Sequence, residues 1–298
     1  MASFKVIKGK CIVPDGTTKI FIDAFDGCSG ITNIDIPSCV KDIDYAAFDG
    51  LDLESIDVDV NNLDFYSEDN CLINKQGTRV YDAGTALIHG CKNSRIPSRI
   101  KTIEPHAFFG CKSLKSITIP DTVTYIGFSS FEGCTSLEEI IIPSSVIYID
   151  SSAFRGCHAL KKVVFNTTSI KHIDTGLFED CRSLEEITVP EGVKSIGNYA
   201  FSGCTRLTSI DIPDGVEEIG MRAFENCTAL TGIDIPKSVK RVGLVAFNGC
   251  VNLQNIKILK STEFDVNSSF RGCPDAIAKG LYSGLHEDIK KLMSCMEP

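Results

Sequence analysis

The apolar positions of this chain return on a fixed clock. Cysteines stand at Cys111, Cys134, Cys157, Cys181, Cys204, Cys227, Cys250 and Cys273, and the gaps between them are 23 residues with a single 24. A phenylalanine precedes each by three residues, from Phe108 to Phe270. Prolines keep the same beat at Pro97, Pro120, Pro143, Pro190, Pro213 and Pro236. A period of this length marks a solenoid in which each turn packs only on its neighbours. The pattern predicts one elongated domain over residues 1–273.

One period shows what each position does. Ile210, Asp211 and Ile212 alternate apolar and polar, as a half-buried strand requires. Pro213 has no amide hydrogen and ends that strand. Val216 and Ile219 form a second inward pair, Gly220 turns the chain, and Ala223, Phe224 and Cys227 fit a short helical turn that closes the coil. No stretch before residue 274 keeps a helical period for ten residues, so the coil is β-rich with little helix. Proline or its equivalent falls at 14, 37, 59, 97, 120, 143, 166, 190, 213, 236 and 259, which predicts about eleven turns of stacked parallel strands.

Three places leave the clock. Residues 59 to 97 contain an insert of about 60–96, in which two β-prone runs around Asn74, Lys75, Gln76 and Gly77 predict a hairpin projecting from the coil. Asn166 to Ser169 adds one residue and lacks the proline, which predicts a local bulge. After residue 273 the spacing of Ile277, Leu281, Leu285, Ile289 and Leu292, with Pro274 at a first-turn position, predicts a C-terminal helix over 274–298 that caps the last turn. Docking of a partner on that helix is the alternative.

The repeat with leucine, isoleucine, proline, valine, Gly220, Ala223, Phe224 and Cys227 in fixed columns resembles the BspA-like leucine-rich repeat family over roughly residues 8 to 273. The insert from Phe65 to Lys75 resembles one common in that family. The resemblance implies a right-handed leucine-rich repeat coil and a non-catalytic binding scaffold for protein partners, with adhesion to host or microbial surfaces as its role. It carries over no contact residue, because the family motif is a packing motif.

Composition and charge narrow the function. The chain has 298 residues, 43% of them hydrophobic, and a formal net charge of −9. An acidic chain without a basic run is a poor binder of nucleic acid. The apolar stretches are too short to span a bilayer. Nine cysteines, the eight above and Cys28, follow the period. Leu51 substitutes for one, so they read as buried free thiols in a small apolar slot. Stacked equivalents keep parallel side chains about 4.8 Å apart, a poor geometry for a disulfide. Cys71 and Cys295 are expected to be exposed. No C-x-x-C pair supports a metal site, and no cofactor is expected.

Catalytic groupings are thin. The five histidines lie apart, and His172 with Asp174 reads as a solvated pair. The exposed strand row supplies the candidate contact surface: Thr118, Ile141, Val164, Thr188, Asp211 and Asp234. Its Ile141–Val164 step is a small apolar patch. Stacking also sets Asp211 beside Asp234 and Asp35 beside Asp57. Like charges so placed cost stability, and plain solvation is the favoured explanation over a neutralising cation or basic partner.

Two alternatives stay open: an enzyme acting on polysaccharide through the aspartate rows, and a purely structural spacer. The chain is expected to be monomeric. The resemblance points to the cell surface, whereas Met1 to Lys10 lack a signal core and point to the cytoplasm.

Overall fold

The computed structural model describes residues 4–76, 85–257, 263–264 and 269–273. They form a β-solenoid of about ten coils. The place of an eleventh, at residue 259, lies outside the described residues, as do the helix expected over 274–298 and Cys295.

The coils have two strand faces and a turn face, although the first-face segment at 115–119, with Thr118, forms no strand. The first strand face carries Lys10–Ile12, Asn33–Ile36 and Ser55–Val58 in parallel register, then Glu139–Ile142 with Lys162–Phe165, Glu186–Thr188 with Ser209–Asp211, and Gly232–Asp234 with Asn255–Lys257. The second carries Ile100–Ile103, Tyr125–Ile126 and Tyr148–Ile149. It continues through His172–Ile173, Ser195–Ile196, Glu218–Ile219, Arg241–Val242 and Glu263–Phe264. Lys5–Ile7 folds back antiparallel on Lys10–Ile12 and covers the first open edge.

Proline's missing donor sets the length of the first-face strands. Where Asp59 and Asn166 take its place, their amides donate to the carbonyls of Ile36 (2.9 Å) and Ile142 (2.8 Å), adding a rung that proline cannot make. The register from Glu139↔Lys162 to Ile142↔Phe165 is unbroken. The extra residue expected to bulge here is therefore absorbed after the strand, where buried Thr167 donates through its hydroxyl to the carbonyl of Val146 (2.9 Å).

The third face is a ladder, not the short helical turn expected at Ala223, Phe224 and Cys227. The amides of Arg222, Phe224 and Asn226 cross to the carbonyls of Leu244, Ala246 and Asn248 in the next coil. Those of Ala223, Glu225 and Cys227 close tight turns onto residues three back. This alternation needs left-handed backbone, and Arg222 (φ 57°) and Asn226 (φ 58°) supply it. Gly220 does not turn the chain through a special φ. A Cβ there would lie 2.6 Å from the backbone of Gly197 and Asn198, so it is the close approach of the preceding coil that requires glycine.

The core is built of stacked columns. From Phe108 to Phe270 the phenylalanine rings stack with centroids 4.9 Å (Phe108–Phe131) to 5.7 Å (Phe154–Phe178) apart. Each fully buried ring stabilises by about 1.5–3 kcal/mol. The cysteine column is buried beside it, and all thirteen described cysteines are free.

Among its described residues the insert does not project. Phe65–Glu68 and Cys71–Asn74 form an antiparallel hairpin, and Cys71–Asn74 pairs antiparallel with Thr85–Gly90. Thr85–Gly90 then pairs parallel with Ile100–Ile103, so the hairpin is part of the second-face sheet. It divides the core in two: Leu72 packs with the first coils, whereas Cys71 and Ile73 pack with the later ones. Cys71, expected to be exposed, is fully buried because its strand is covered on both sides. In the insert coil, Gly90 has the backbone role of phenylalanine, its amide donating to the Ala107 carbonyl (2.8 Å). A Cβ there would lie 2.0 Å from the Phe108 ring. The buried aromatic against Phe48 is His89, with ring centroids 5.0 Å apart.

Candidate interaction surface

The outward positions of the first strand face form columns because the coils stack in register. In the row singled out from the sequence, Ile141 pairs with Val164 and Thr188 with Asp211. Ile141 is half exposed at 50%, Val164 is half-buried, and Thr118, Thr188, Asp211 and Asp234 are exposed. The coils of Asp211 and Asp234 are joined by Thr231, whose amide reaches the Thr208 carbonyl (3.4 Å). Asp234 stands in register with Lys257. A shallow groove of about 470 Å³ runs here, lined among others by Val164, Phe165, Thr168, Thr188, Ser209 and Asp211.

Charges beside the row neutralise one another. Lys161 pairs with Glu138 (2.9 Å) and Arg206 with Glu185 (2.6 Å), while Lys162 is the cross-strand partner of Glu139. The Lys161 ammonium holds the Glu138 carboxyl below the usual range. These pairs are exposed and individually worth little. Their effect is to leave an apolar step framed by balanced charge.

The like-charged pair Asp35 and Asp57 does stand in register, but solvation alone is not what relieves it. Lys10 lies 2.8 Å from Asp35, and its own pKa is raised by Asp35 first and by Asp57 as well. His172 is exposed and bonds Ser195 (2.8 Å), but Asp174 is half-buried, not solvated. Burial pushes its carboxyl up, against a hydrogen bond from Tyr148. Among the described residues no group of three or more His, Cys, Asp or Glu is placed to hold a metal ion. No helix among them is long and apolar enough to cross a membrane.

A second feature escaped the sequence reading. At the corner between the second strand face and the turn face, His106 stacks on Phe109 (4.8 Å) and meets Tyr45 (5.1 Å) and Phe128 (5.7 Å). Its Nδ1 is 2.8 Å from Asp49. The insert brings these together across 61 residues of sequence between Tyr45 and His106, which hid the column.

With two strand faces, a turn ladder and phenylalanine and cysteine columns in view, comparison with known proteins is decisive. The model of the BspA type leucine-rich repeat region matches six copies, over residues 7–74, 88–205 and 171–279. The chain belongs to the BspA-type leucine-rich repeat family. It is similar to a leucine-rich repeat protein from Eubacterium ventriosum, at 30% identity and a TM-score of 0.69, over 86% of this chain and 66% of that one. A leucine-rich repeat protein from Bacteroides ovatus aligns at 28% identity and a TM-score of 0.62, over 86% of this chain and 57% of that one. The T. pallidum leucine-rich repeat protein aligns at 29% and 0.53, over 60% of this chain and 91% of that one. The chain thus spans about two thirds or less of the first two relatives. A search of curated proteins found no match. As a BspA-type repeat protein, the chain is a repeat scaffold whose recurring residues are spent on packing. Its individuality lies in the outward columns.

Proposed function

We propose that this scaffold binds a protein partner along the first strand face, with Ile141 and Val164 as the anchor and Thr118, Thr188, Asp211 and Asp234 as the polar surround. The observation that carries the reading is the in-register Ile141–Val164 step framed by self-neutralised ion pairs. Such a patch can be desolvated without stranding a charge, the arrangement that concentrates binding energy in a few residues. Adhesion at a cell surface is the role that family membership favours.

The test is quantitative capture from host-matrix and microbial extracts by the wild-type chain and by an Ile141→Ser/Val164→Ser variant of equal melting temperature. A saturable partner lost in the variant supports the reading. No saturable partner returns the spacer reading, and turnover of a glycan returns the enzyme reading.

A further inference from the structure

The charge of this chain is polarised along its length. Residues 4–76 hold fourteen Asp or Glu against six Lys, a net −8, while the remainder sums to −1. An apolar strip at the corner begins on these acidic coils and continues onto the coil of Phe128. Phe21 and Ile22 are each 55% exposed, Tyr45 57% and Phe128 43%. Along the strip the Ile22 amide donates to a carboxylate oxygen of Asp44 (3.2 Å), next to Tyr45 in the chain, and His106 bridges Tyr45 to Phe128. Asp23, Asp44 and Asp49 border it.

The molecule shows three times what an aromatic ring beside a carboxylate accepts here. Lys19 lies 5.1 Å over the Phe21 ring while pairing with Asp44 (2.7 Å) and Asp42 (3.0 Å). Arg99 lies 5.1 Å over Tyr66 and pairs with Glu68. Arg222 lies 5.7 Å over Tyr199 and 3.3 Å from Glu225. Cation over ring with a carboxylate at the side is a favourable arrangement. Among the described residues no Lys or Arg lies over the ring of Tyr45, beside Asp44, or over that of Phe128, which meets His106 and through it Asp49.

We propose that this corner is a second interaction surface, which takes a protein segment carrying Arg or Lys between apolar residues, its cations lying over Tyr45 and Phe128. Charge complementarity selects such a segment over an acidic or neutral one: the net negative charge of these coils draws it in, and the rings give the contact its position.

The probe is a fluorescent twelve-residue peptide of alternating arginine and leucine or serine, titrated by anisotropy into the full chain at about 0.15 M salt, where charges beyond about 8 Å are screened. A citrulline counterpart keeps the shape without the charge. The expected result is at least tenfold weaker binding for citrulline, and at least tenfold weaker binding of the arginine peptide to Tyr45→Ser/Phe128→Ser. Ile141→Ser/Val164→Ser should leave it unchanged, so the first strand face stands or falls separately. If the double variant does not fold, Tyr45→Lys at an exposed position should give the same loss. Equal affinity for wild type and corner variants would overturn the proposal by showing attraction to bulk charge alone. A dimer in sedimentation that the corner variants dissolve would overturn it in favour of a second copy.

Discussion

The thiol of Cys204 donates to the carbonyl oxygen of Phe178, one coil back, across 3.2 Å. The same bond recurs from Cys134 to Phe108, Cys157 to Phe131, Cys181 to Phe154, Cys227 to Phe201, Cys250 to Phe224 and Cys273 to Phe247, at 3.0–3.2 Å. The column therefore does more than fill space. Each sulfur is a second donor to a carbonyl that already closes a tight turn, as that of Phe178 does with the Cys181 amide (3.1 Å). Cys204→Ala removes this second donor and opens a small cavity, and should cost about 1–2 kcal/mol in urea unfolding. A loss below about 0.5 kcal/mol would reduce the column to packing alone.

The same burial makes these thiols inert, except Cys273, which is only half-buried. Burial pushes Cys71 and Cys111 up to about 12 and Cys11 to about 11, so almost no thiolate exists at pH 8. Alkylation of the native chain followed by mass spectrometry should label half-exposed Cys28, Cys39 and Cys273 and spare Cys71, Cys111 and Cys204.

His89 predicts an acid limb in stability. It is 1% exposed, its Nε2 has no hydrogen-bond partner, and burial alone lowers its pKa from 6.5 to about 3. The unfolded chain takes up a proton below pH 6.5 that the folded chain refuses. Stability is thus full above 6.5 and falls toward pH 3 by up to about 1.4 kcal/mol per pH unit. His89→Phe should flatten the part of the melting-temperature profile between pH 6 and 4. An unchanged profile would mean that His89 is solvated.

Glu104 acts in the opposite sense. Burial raises its carboxyl from 4.5 to about 7, and Oε1 has no partner. The folded state holds a proton that the unfolded state has already lost, so stability falls as pH rises from 4.5 through 7. Glu104→Gln should raise the melting temperature at pH 8 and change it little at pH 4.

Val245 sits at φ 51° in the left-handed region, where a β-branched side chain is strained. The equivalent residue in another coil is Gly176, at φ 63°. Val245→Gly should stabilise by about 1 kcal/mol in urea unfolding, against a small loss from added unfolded-state freedom.

The columns were legible because like residues stack, so periodicity in sequence is adjacency in space: Phe108 over Phe131, Ile141 beside Val164. The fate of the insert was not. Two β-prone runs specify a hairpin but not what it pairs with. A signal was nevertheless present. Cys71, Leu72 and Ile73 are three apolar residues in a row, the mark of a strand covered on both faces, whereas a projecting hairpin would alternate. The turn face was misread because its left-handed positions, Arg222 and Tyr199 among them, carry side chains that give no hint of positive φ. The Tyr45–His106–Phe128 corner was invisible because the insert separates in sequence what it joins in space.

A stack of interchangeable coils offers fraying no natural place to halt, since each layer lost exposes another like it. The Cys71–Asn74 strand breaks that sameness. It runs against its neighbours and gives Leu72 to one core and Ile73 to the other. A solenoid peeling from its far end would arrive at a seam of different make, and the coils beyond would part as a separate cooperative block.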